Sequence, residues 1–346
     1  MAAALASPSA VQKIKPLKVA FVYIGPPGDL GWTYEHEQAR KAVANRFGGR
    51  VRLDYIENVP VGPVAESVVR QFAIDGYDLI FATSFGYMDT MLAVAKDFPE
   101  VKFEHCSGHK TAPNMSSYFG KIEEARYLSG IIAGKMTKAA KIGYVAAFRM
   151  PEVIRGINAF ALGVRSVNPR AAVLVEWTDS WYDPAKERAA ATALLDAGVD
   201  IIAQHSDTTE PQLAARERGK LSIGYDSDMG AFVGESVLVS AVWNWEVYYA
   251  DAIQKALDGT WSSRSYWGGL REGIVALSSI SPRVPKDVVA QVERARKSIV
   301  GGKLDIFSGP INGQDGKIKV EAKTALTDDQ ELTMDWFVQG VIGEPD

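Results

Sequence analysis

Lys18-Val19-Ala20-Phe21-Val22-Tyr23-Ile24 runs straight into Gly25-Pro26-Pro27-Gly28-Asp29-Leu30-Gly31-Trp32-Thr33-Tyr34, and a helical pattern follows from about Glu35 to Phe47. An apolar run with no polar alternation reads as a strand covered on both faces, and a Gly/Pro-rich turn between it and a helix opens a βαβ unit. Open α/β sheets bind their ligands at the carboxyl ends of such strands. Trp32, delivered there by the loop, is either one wall of a binding site or a core cap on the sheet edge, and these residues are compatible with both.

Working outward, short apolar or β-branched runs recur at Val51–Ile56, Leu79–Thr83, Val101–His105, Ile142–Phe148, Ala172–Trp177, Ile201–His205, Leu221–Tyr225, Val237–Val242 and Gly273–Leu277, with helical patterns between most of them. Alternation of buried strands with helices specifies an α/β fold with parallel sheets. An internal repeat divides it. Lys18-Val19-Ala20-Phe21-Val22 is matched by Lys141-Ile142-Gly143-Tyr144-Val145, an offset of 123 residues, and Asp75-Gly76-Tyr77-Asp78-Leu79-Ile80 by Ala197-Gly198-Val199-Asp200-Ile201-Ile202 at an offset of 122. In each half the glycine closes a crossover helix, with apolar positions Val64, Val68 and Phe72 in one and Ala191, Leu194 and Leu195 in the other.

The expected architecture is therefore two doubly wound parallel-sheet lobes joined by crossover hinges, which suits a chain of 346 residues. Residues 1–16 read as a disordered or processed N-terminus. Residues 17–138 with about 244–268 form the N-terminal lobe, and 139–243 with about 269–300 the C-terminal lobe. The boundary is placed at the polar, small-residue stretch Thr137-Lys138-Ala139-Ala140-Lys141, after a helix beginning near Glu123. Residues 301–346 read as an irregular tail, with a hairpin turn at Asp315-Gly316-Lys317, doing packing and hinge work.

Hydrophobic residues at 47%, charged residues at 23% and a net charge of -4 describe a globular chain with no basic excess, so nucleic acid is not the expected partner. The single cysteine, Cys106, leaves no internal disulfide to form, and four scattered histidines give no metal-ligand spacing, so neither metal nor cofactor is expected. Ala4-Leu5-Ala6 resembles the small-residue end of an export signal, although the segment lacks a charged start and a long apolar stretch. An exported chain and a cytosolic tail both fit.

Enzyme signatures are missing: there is no Walker A loop, no Gly-x-Ser-x-Gly elbow and no His-Glu-x-x-His helix. The prolines of Gly25-Pro26-Pro27-Gly28 spoil a dinucleotide fingerprint. His105 and Cys106 are neighbours on a strand and point to opposite faces, so they make no thiolate–imidazole pair. Glu123 and Glu124 read as a solvated helix start, and Asp226 and Asp228 as a strand end.

What the strand ends do share is aromatic and acidic character. Trp32 and Thr33 follow the first strand; Ser84, Phe85 and Tyr87 the third; Ser107 the fourth. From the second half come Trp181, His205 and Asp207, Tyr225 with Asp226, and Trp243. Flat rings can sandwich a planar heterocycle, and an ionised aspartate accepts from its N–H groups.

Several longer segments resemble the basic membrane protein family of ABC-transporter substrate-binding proteins. They are Gly28-Asp29-Leu30-Gly31-Trp32-Thr33, Phe85-Gly86-Tyr87-Met88, Glu124-Ala125-Arg126-Tyr127-Leu128-Ser129-Gly130, Arg155-Gly156-Ile157-Asn158-Ala159-Phe160, Trp181-Tyr182-Asp183-Pro184 and Gly224-Tyr225-Asp226-Ser227-Asp228. The resemblance implies the type I periplasmic-binding-protein fold, capture of a purine between the lobes, stacking on Trp32 and Trp181, hydrogen bonding to Asp226, and delivery to a membrane permease by a periplasmic monomer. Nucleoside-binding members carry an asparagine where this chain has Thr33, an aspartate where it has Ser107 and a lysine where it has Trp243. Loss of the ribose-holding groups points to a free base such as adenine, guanine, hypoxanthine or xanthine. The family's lipid-bearing cysteine has no counterpart near the start. The alternatives are a nucleoside or other flat nitrogen heterocycle and, from another class, a hydrolase using Asp207 or Asp226.

Overall fold

The computed structural model describes residues 15–345, and the export and tail readings of the N-terminus lie outside the described residues. The first lobe runs β1 (Leu17–Val22), α1 (Trp32–Phe47), β2 (Val51–Ile56), α2 (Pro63–Ile74), β3 (Leu79–Ala82), α3 (Met88–Asp97), β4 (Lys102–Cys106) and β5 (Met115–Gly120). After α4 (Ile122–Met136) the second lobe repeats the plan. It runs β6 (Lys141–Ala146), α5 (Pro151–Val167), β7 (Ala172–Trp177), α6 (Pro184–Asp196), β8 (Ile201–His205), α7 (Glu210–Glu217), β9 (Leu221–Asp226), the single turn α8 (Gly230–Val233) and β10 (Val237–Trp243). The chain then returns to the first lobe with α9 (Trp245–Leu257) and β11 (Ser265–Gly268), and to the second with β12 (Val275–Leu277) and α10 (Lys286–Val300).

The two sheets have orders β2-β1-β3-β4-β5-β11 and β7-β6-β8-β9-β10-β12, the same doubly wound arrangement twice, with β12 alone antiparallel among these. The repeat read from the sequence is thus a repeat of topology. Gly76 and Gly198 stand just beyond α2 and α6 with φ of +74° and +87°, a backbone state that glycine adopts without a Cβ penalty. Each sheet is buried on both faces: Phe21, Tyr118 and Tyr249 lie on the side of α1 and α9, and Ile80, Phe72 and Met91 on the side of α2 and α3. The helical face of α2 is rotated from the expected one, because Ala65, Val69, Phe72 and Ala73 are buried and Val64 is 51% exposed. Strand β5 escapes the hydrophobic pattern because Ser116, Ser117 and Gly120 interrupt it, yet all six of its residues are buried.

One boundary is corrected. Helix α4, expected to end the first lobe, packs on α5 of the second, so the first crossing lies at Gly120–Lys121 rather than at Thr137–Lys141. Its Leu128, Ile131 and Ile132 join the second lobe's core. The physical cause is a glycine contact between helix backbones: a Cβ on Gly130 would lie 2.2 Å from the Phe160 carbonyl oxygen, and one on Gly163 would lie 2.1 Å from that of Tyr127. The Thr137–Ala140 stretch is an ordinary helix-to-strand loop, tied by Asp200, which accepts from Thr137 Oγ1 at 2.6 Å and Ala139 N at 2.8 Å. The other crossings fall between Trp243 and Trp245 and between Gly268 and Val275.

Glu123 is not a solvated helix start either. It is buried and paired with the equally buried Arg155 at 3.3 Å, while Glu124 accepts from Leu270 N at 2.6 Å across the third crossing. The tail is less irregular than read. It forms a hairpin of β13 (Ile311–Asn312) and β14 (Ile318–Val320), the short α11 (Asp328–Leu332), and β15 (Val341–Ile342), which adds a parallel edge strand beside β7. Phe307, Met334 and Phe337 bury it on the second lobe, and Asp328 pairs with Lys121 at the first crossing at 3.0 Å. No described helix is long and apolar enough to cross a membrane.

Candidate functional site

The loop from Gly25 to Gly31 is held by Asp29. Its carboxylate accepts from the backbone N–H groups of Gly31 (3.0 Å), Thr33 (2.9 Å) and Tyr34 (2.9 Å), satisfying the free amides at the start of α1. This sets Trp32 at the first helical position, where its Nε1 donates to the Thr83 carbonyl at 2.7 Å. Behind it Trp243, Trp245 and His36 form a stack, with ring centroids 4.6 Å apart at 15° and 4.6 Å apart at 17°. Trp32 stands edge-on to that stack, at 80° to Trp245 and 84° to His36. Packing thus fixes the indole before any ligand arrives.

Trp32 forms one side of a cavity between the lobes with about 490 Å³ of empty space, its open mouth included. Ile24, Ser84, Phe85 and Ser107 line it from the first lobe, and Glu152, Trp181, His205, Asp207, Tyr225 and Asp226 from the second. Nine of the twelve strand-end residues gathered from sequence therefore come together: Trp32, Ser84, Phe85, Ser107, Trp181, His205, Asp207, Tyr225 and Asp226. Thr33, Tyr87 and Trp243 do not line it. Thr33 is fully buried under the loop, and the Tyr87 hydroxyl is spent on the Val59 carbonyl. The Trp243 indole lies behind the wall, where its Nε1 donates to Asp226 Oδ1 at 2.9 Å.

Ile24 and Glu152 are additions. His205 closes β8 and was visible as a strand end; Glu152 sits in the first turn of α5, and only the fold brings it to the cavity. His205 Nε2 lies 3.2 Å from the Tyr225 hydroxyl and 3.6 Å from Glu152 Oε1. Burial lowers its pKa to about 4, so the ring is neutral at pH 7.

Ser107 and Asp226 follow or end the fourth strand of each lobe, β4 and β9, and both have φ of +63°. A left-handed non-glycine residue is uncommon, and here the repeat places two at equivalent positions facing one cavity. Asp226 is completely buried. Trp243 takes its Oδ1, and Oδ2 has no partner in the protein. Burial pushes the Asp226 and Asp207 carboxyls upward. For Asp207 the nearby Asp226 and Asp29 add to this, whereas Arg126 and the Trp243 bond oppose it at Asp226.

The lobes meet around the cavity's rim. Ser227 Oγ donates to the Leu30 carbonyl, Tyr34 meets Phe232 edge-on at 5.6 Å, and a Cβ on Gly31 would lie 2.3 Å from the Asp207 carbonyl oxygen. This is a closed cleft. Glu35 of the first lobe is covered in it, and burial, then Asp228 across the seam and Asp29, raise its pKa from the ordinary 4.5 to about 7. With the lobes apart Glu35 returns to water and its ordinary value, so the closed state holds more protons between these limits. Closure is then favoured fully below pH 4.5 and loses that contribution as pH rises through 7. Ligand affinity is expected to fall by roughly 10- to 100-fold between pH 5 and 8, with uptake of most of a proton near pH 6. Calorimetry in buffers of different ionisation heat measures the uptake, and Glu35→Gln should flatten the dependence.

Residues 17–308 match the model of the PnrA-like ABC-transporter substrate-binding proteins, the Bmp family. A purine-binding protein of Brucella abortus is 46% identical over 325 residues, covering 94% of this chain and 93% of that protein. A putative ABC-transporter glucose-binding protein of Haloferax volcanii is 41% identical, covering 95% and 81%. Among solved structures, a solute-binding protein of an ABC-transporter system from Aeropyrum pernix superposes with a TM-score of 0.74 at 21% identity, covering 91% of this chain and 95% of that one. A counterpart from Conexibacter woesei gives 0.72 at 24%, covering 84% and 98%. The two-lobed type I periplasmic-binding fold is common to them, and the chain belongs to the Bmp family of ABC-transporter substrate-binding proteins.

Proposed function

We propose that the interlobe cavity captures a purine base and presents it to the permease of an ABC importer. The observation that carries the reading is the pairing of an indole from each lobe, Trp32 and Trp181, around a wall whose Asp226 Oδ2 is buried without a partner. That oxygen accepts from a ligand N–H when the carboxyl is ionised and donates to a ring nitrogen or carbonyl when burial keeps it protonated, and a purine edge carries both kinds of group. The wall carries the carboxyls of Glu152, Asp207 and Asp226 and has no lysine, arginine, asparagine or glutamine side chain. A planar ring edged with N–H donors suits it.

A base is favoured over a nucleoside, though on altered grounds. Thr33 and Trp243 lie outside the cavity, so only Ser107 stands on the wall among the three positions that differ from nucleoside binders. Trp243 acts indirectly: by occupying Oδ1 it leaves Asp226 one free oxygen, where a pair of adjacent ribose hydroxyls is best met by two. The Brucella relative's name agrees with a purine. The Haloferax relative's name concerns a hexose; hexose hydroxyls donate to carboxylates as well as accept, so glucose is the competitor against which the purine reading is tested. Family membership places such a protein outside the cytoplasmic membrane, and a periplasmic monomer is the form we expect.

Trp181 is half-buried, with Phe148 edge-on at 5.1 Å and 62° and His205 tilted against it at 6.1 Å. Trp181→Ala is therefore expected to leave the fold intact and to weaken adenine binding by about 1.5 kcal/mol, roughly tenfold. Titration followed by the fluorescence of the remaining tryptophans measures this. Unchanged affinity in Trp181→Ala and in Asp226→Asn would exclude the cavity as the purine site.

A further inference from the structure

A histidine on the cavity wall has one ring nitrogen with partners and one without. Nε2 of the buried His205 meets the Tyr225 hydroxyl at 3.2 Å and stands 3.6 Å from Glu152 Oε1, whereas Nδ1 is buried and has no partner among the described residues. A proton on Nδ1 would be an orphaned buried donor, and the lone pair then left on Nε2 would face the Glu152 carboxyl oxygen, itself an acceptor. With the proton on Nε2 the N–H meets the Tyr225 oxygen, and Nδ1 buries only a lone pair. A doubly protonated ring would restore the orphan, in agreement with the neutral state that burial imposes.

The tautomer decides what Tyr225 can do. If its oxygen accepts from Nε2, its own proton is free, because among the described residues the hydroxyl has no other hydrogen-bond partner. Burial pushes the phenol well above its ordinary pKa, so it keeps that proton. The ring itself is held firmly, with the Arg126 guanidinium carbon 3.7 Å from its centre and the His205 ring 4.5 Å away at 51°. We propose that His205 is a positioning residue of the binding site: protonated at Nε2, it holds the Tyr225 oxygen and leaves the phenol O–H to donate to a ring nitrogen of the ligand. The proposal deepens the purine reading and rests on it for the ligand. A purine edge sets bare ring nitrogens, which only accept, beside N–H groups, which only donate; Tyr225 reads the first kind. His205, Tyr225 and Glu152 stand on β8, β9 and α5 of the second lobe and all line the cavity, so their relation does not depend on closure.

Two measurements test it. Nitrogen NMR of the ligand-free protein reads the His205 tautomer, expected to carry its proton on Nε2. Calorimetry then compares adenine with 1-deazaadenine, 3-deazaadenine and 7-deazaadenine, each of which lacks one ring nitrogen. At least one analogue should bind the wild-type protein about tenfold or more weaker than adenine, because it leaves the buried phenol O–H unpaired. For that analogue the gap should close to within about threefold in Tyr225→Phe and in His205→Phe, and persist in His205→Gln, whose amide can donate to the same oxygen. A proton on Nδ1, or the absence of any analogue whose gap both phenylalanine variants close, would overturn the proposal; should the His205 variants not fold, the tautomer and Tyr225→Phe decide it. If adenine gives no response with the wild-type protein, the purine reading fails on its own, and the tautomer still shows whether the Tyr225 proton is free.

Discussion

Gly31→Val is expected to weaken ligand affinity by about 100-fold or more while leaving both lobes folded. Gly31 ends the loop that carries Trp32, and in the closed cleft its Cα faces the second lobe's backbone. An added Cβ would sit 2.3 Å from the Asp207 carbonyl oxygen and 2.8 Å from its Cα. Backbone on both sides cannot swing away as a long side chain would, so the lobes must stay apart. Separation removes the Ser227 contact to Leu30, the Tyr34–Phe232 contact and the burial of ligand between two indoles. Gly31 also holds φ −123° and ψ −119°, outside the regions a β-branched residue adopts freely, so the ligand-free protein should lose about 3–6 °C of thermal midpoint with both lobes still folded. Wild-type affinity in Gly31→Val would show that the closed arrangement is not the capturing one.

Gly163→Ala is expected to act on stability instead, lowering it by about 3 kcal/mol and the thermal midpoint by about 6–12 °C. Here a Cβ would lie 2.1 Å from the Tyr127 carbonyl oxygen and 2.9 Å from its carbonyl carbon, inside the α4–α5 contact. Both partners are helix backbone, so relief requires the helices to move apart and to open the core around Leu128, Ile131 and Phe160. Gly156, on the same helix, is the control: nothing lies closer than 3.5 Å to its Cβ position. Gly156→Ala should be neutral or stabilising by up to about 1 kcal/mol through helix propensity. Equal effects at the two positions would contradict the close-packing account of the first crossing.

That crossing also marks where the sequence stops being readable. Strands with unbroken apolar runs, such as Ile201–His205, and the repeat that relates Gly76 to Gly198, were plain because periodicity and turn chemistry are local. Ownership of α4 was not, because it depends on which surface Gly130 and Gly163 approach, a contact between segments far apart in sequence. The site divides in the same way. Residues at strand ends converge by topology, so Trp32, Ser107, Trp181 and Asp226 could be gathered from order alone. Whether a side chain at such an end faces the cavity or the core is a matter of rotation and packing. Tyr87 and Trp243 turned inward, where the Val59 carbonyl and the Asp226 carboxylate satisfy them.

The central claim is that the cleft takes a purine base, and calorimetric titration of the wild-type protein with adenine, adenosine and glucose in parallel tests it most directly. The account predicts one adenine site per chain, adenosine at least about tenfold weaker, and no heat from glucose. Adenosine binding as tightly as adenine, or glucose binding in place of both, would contradict it.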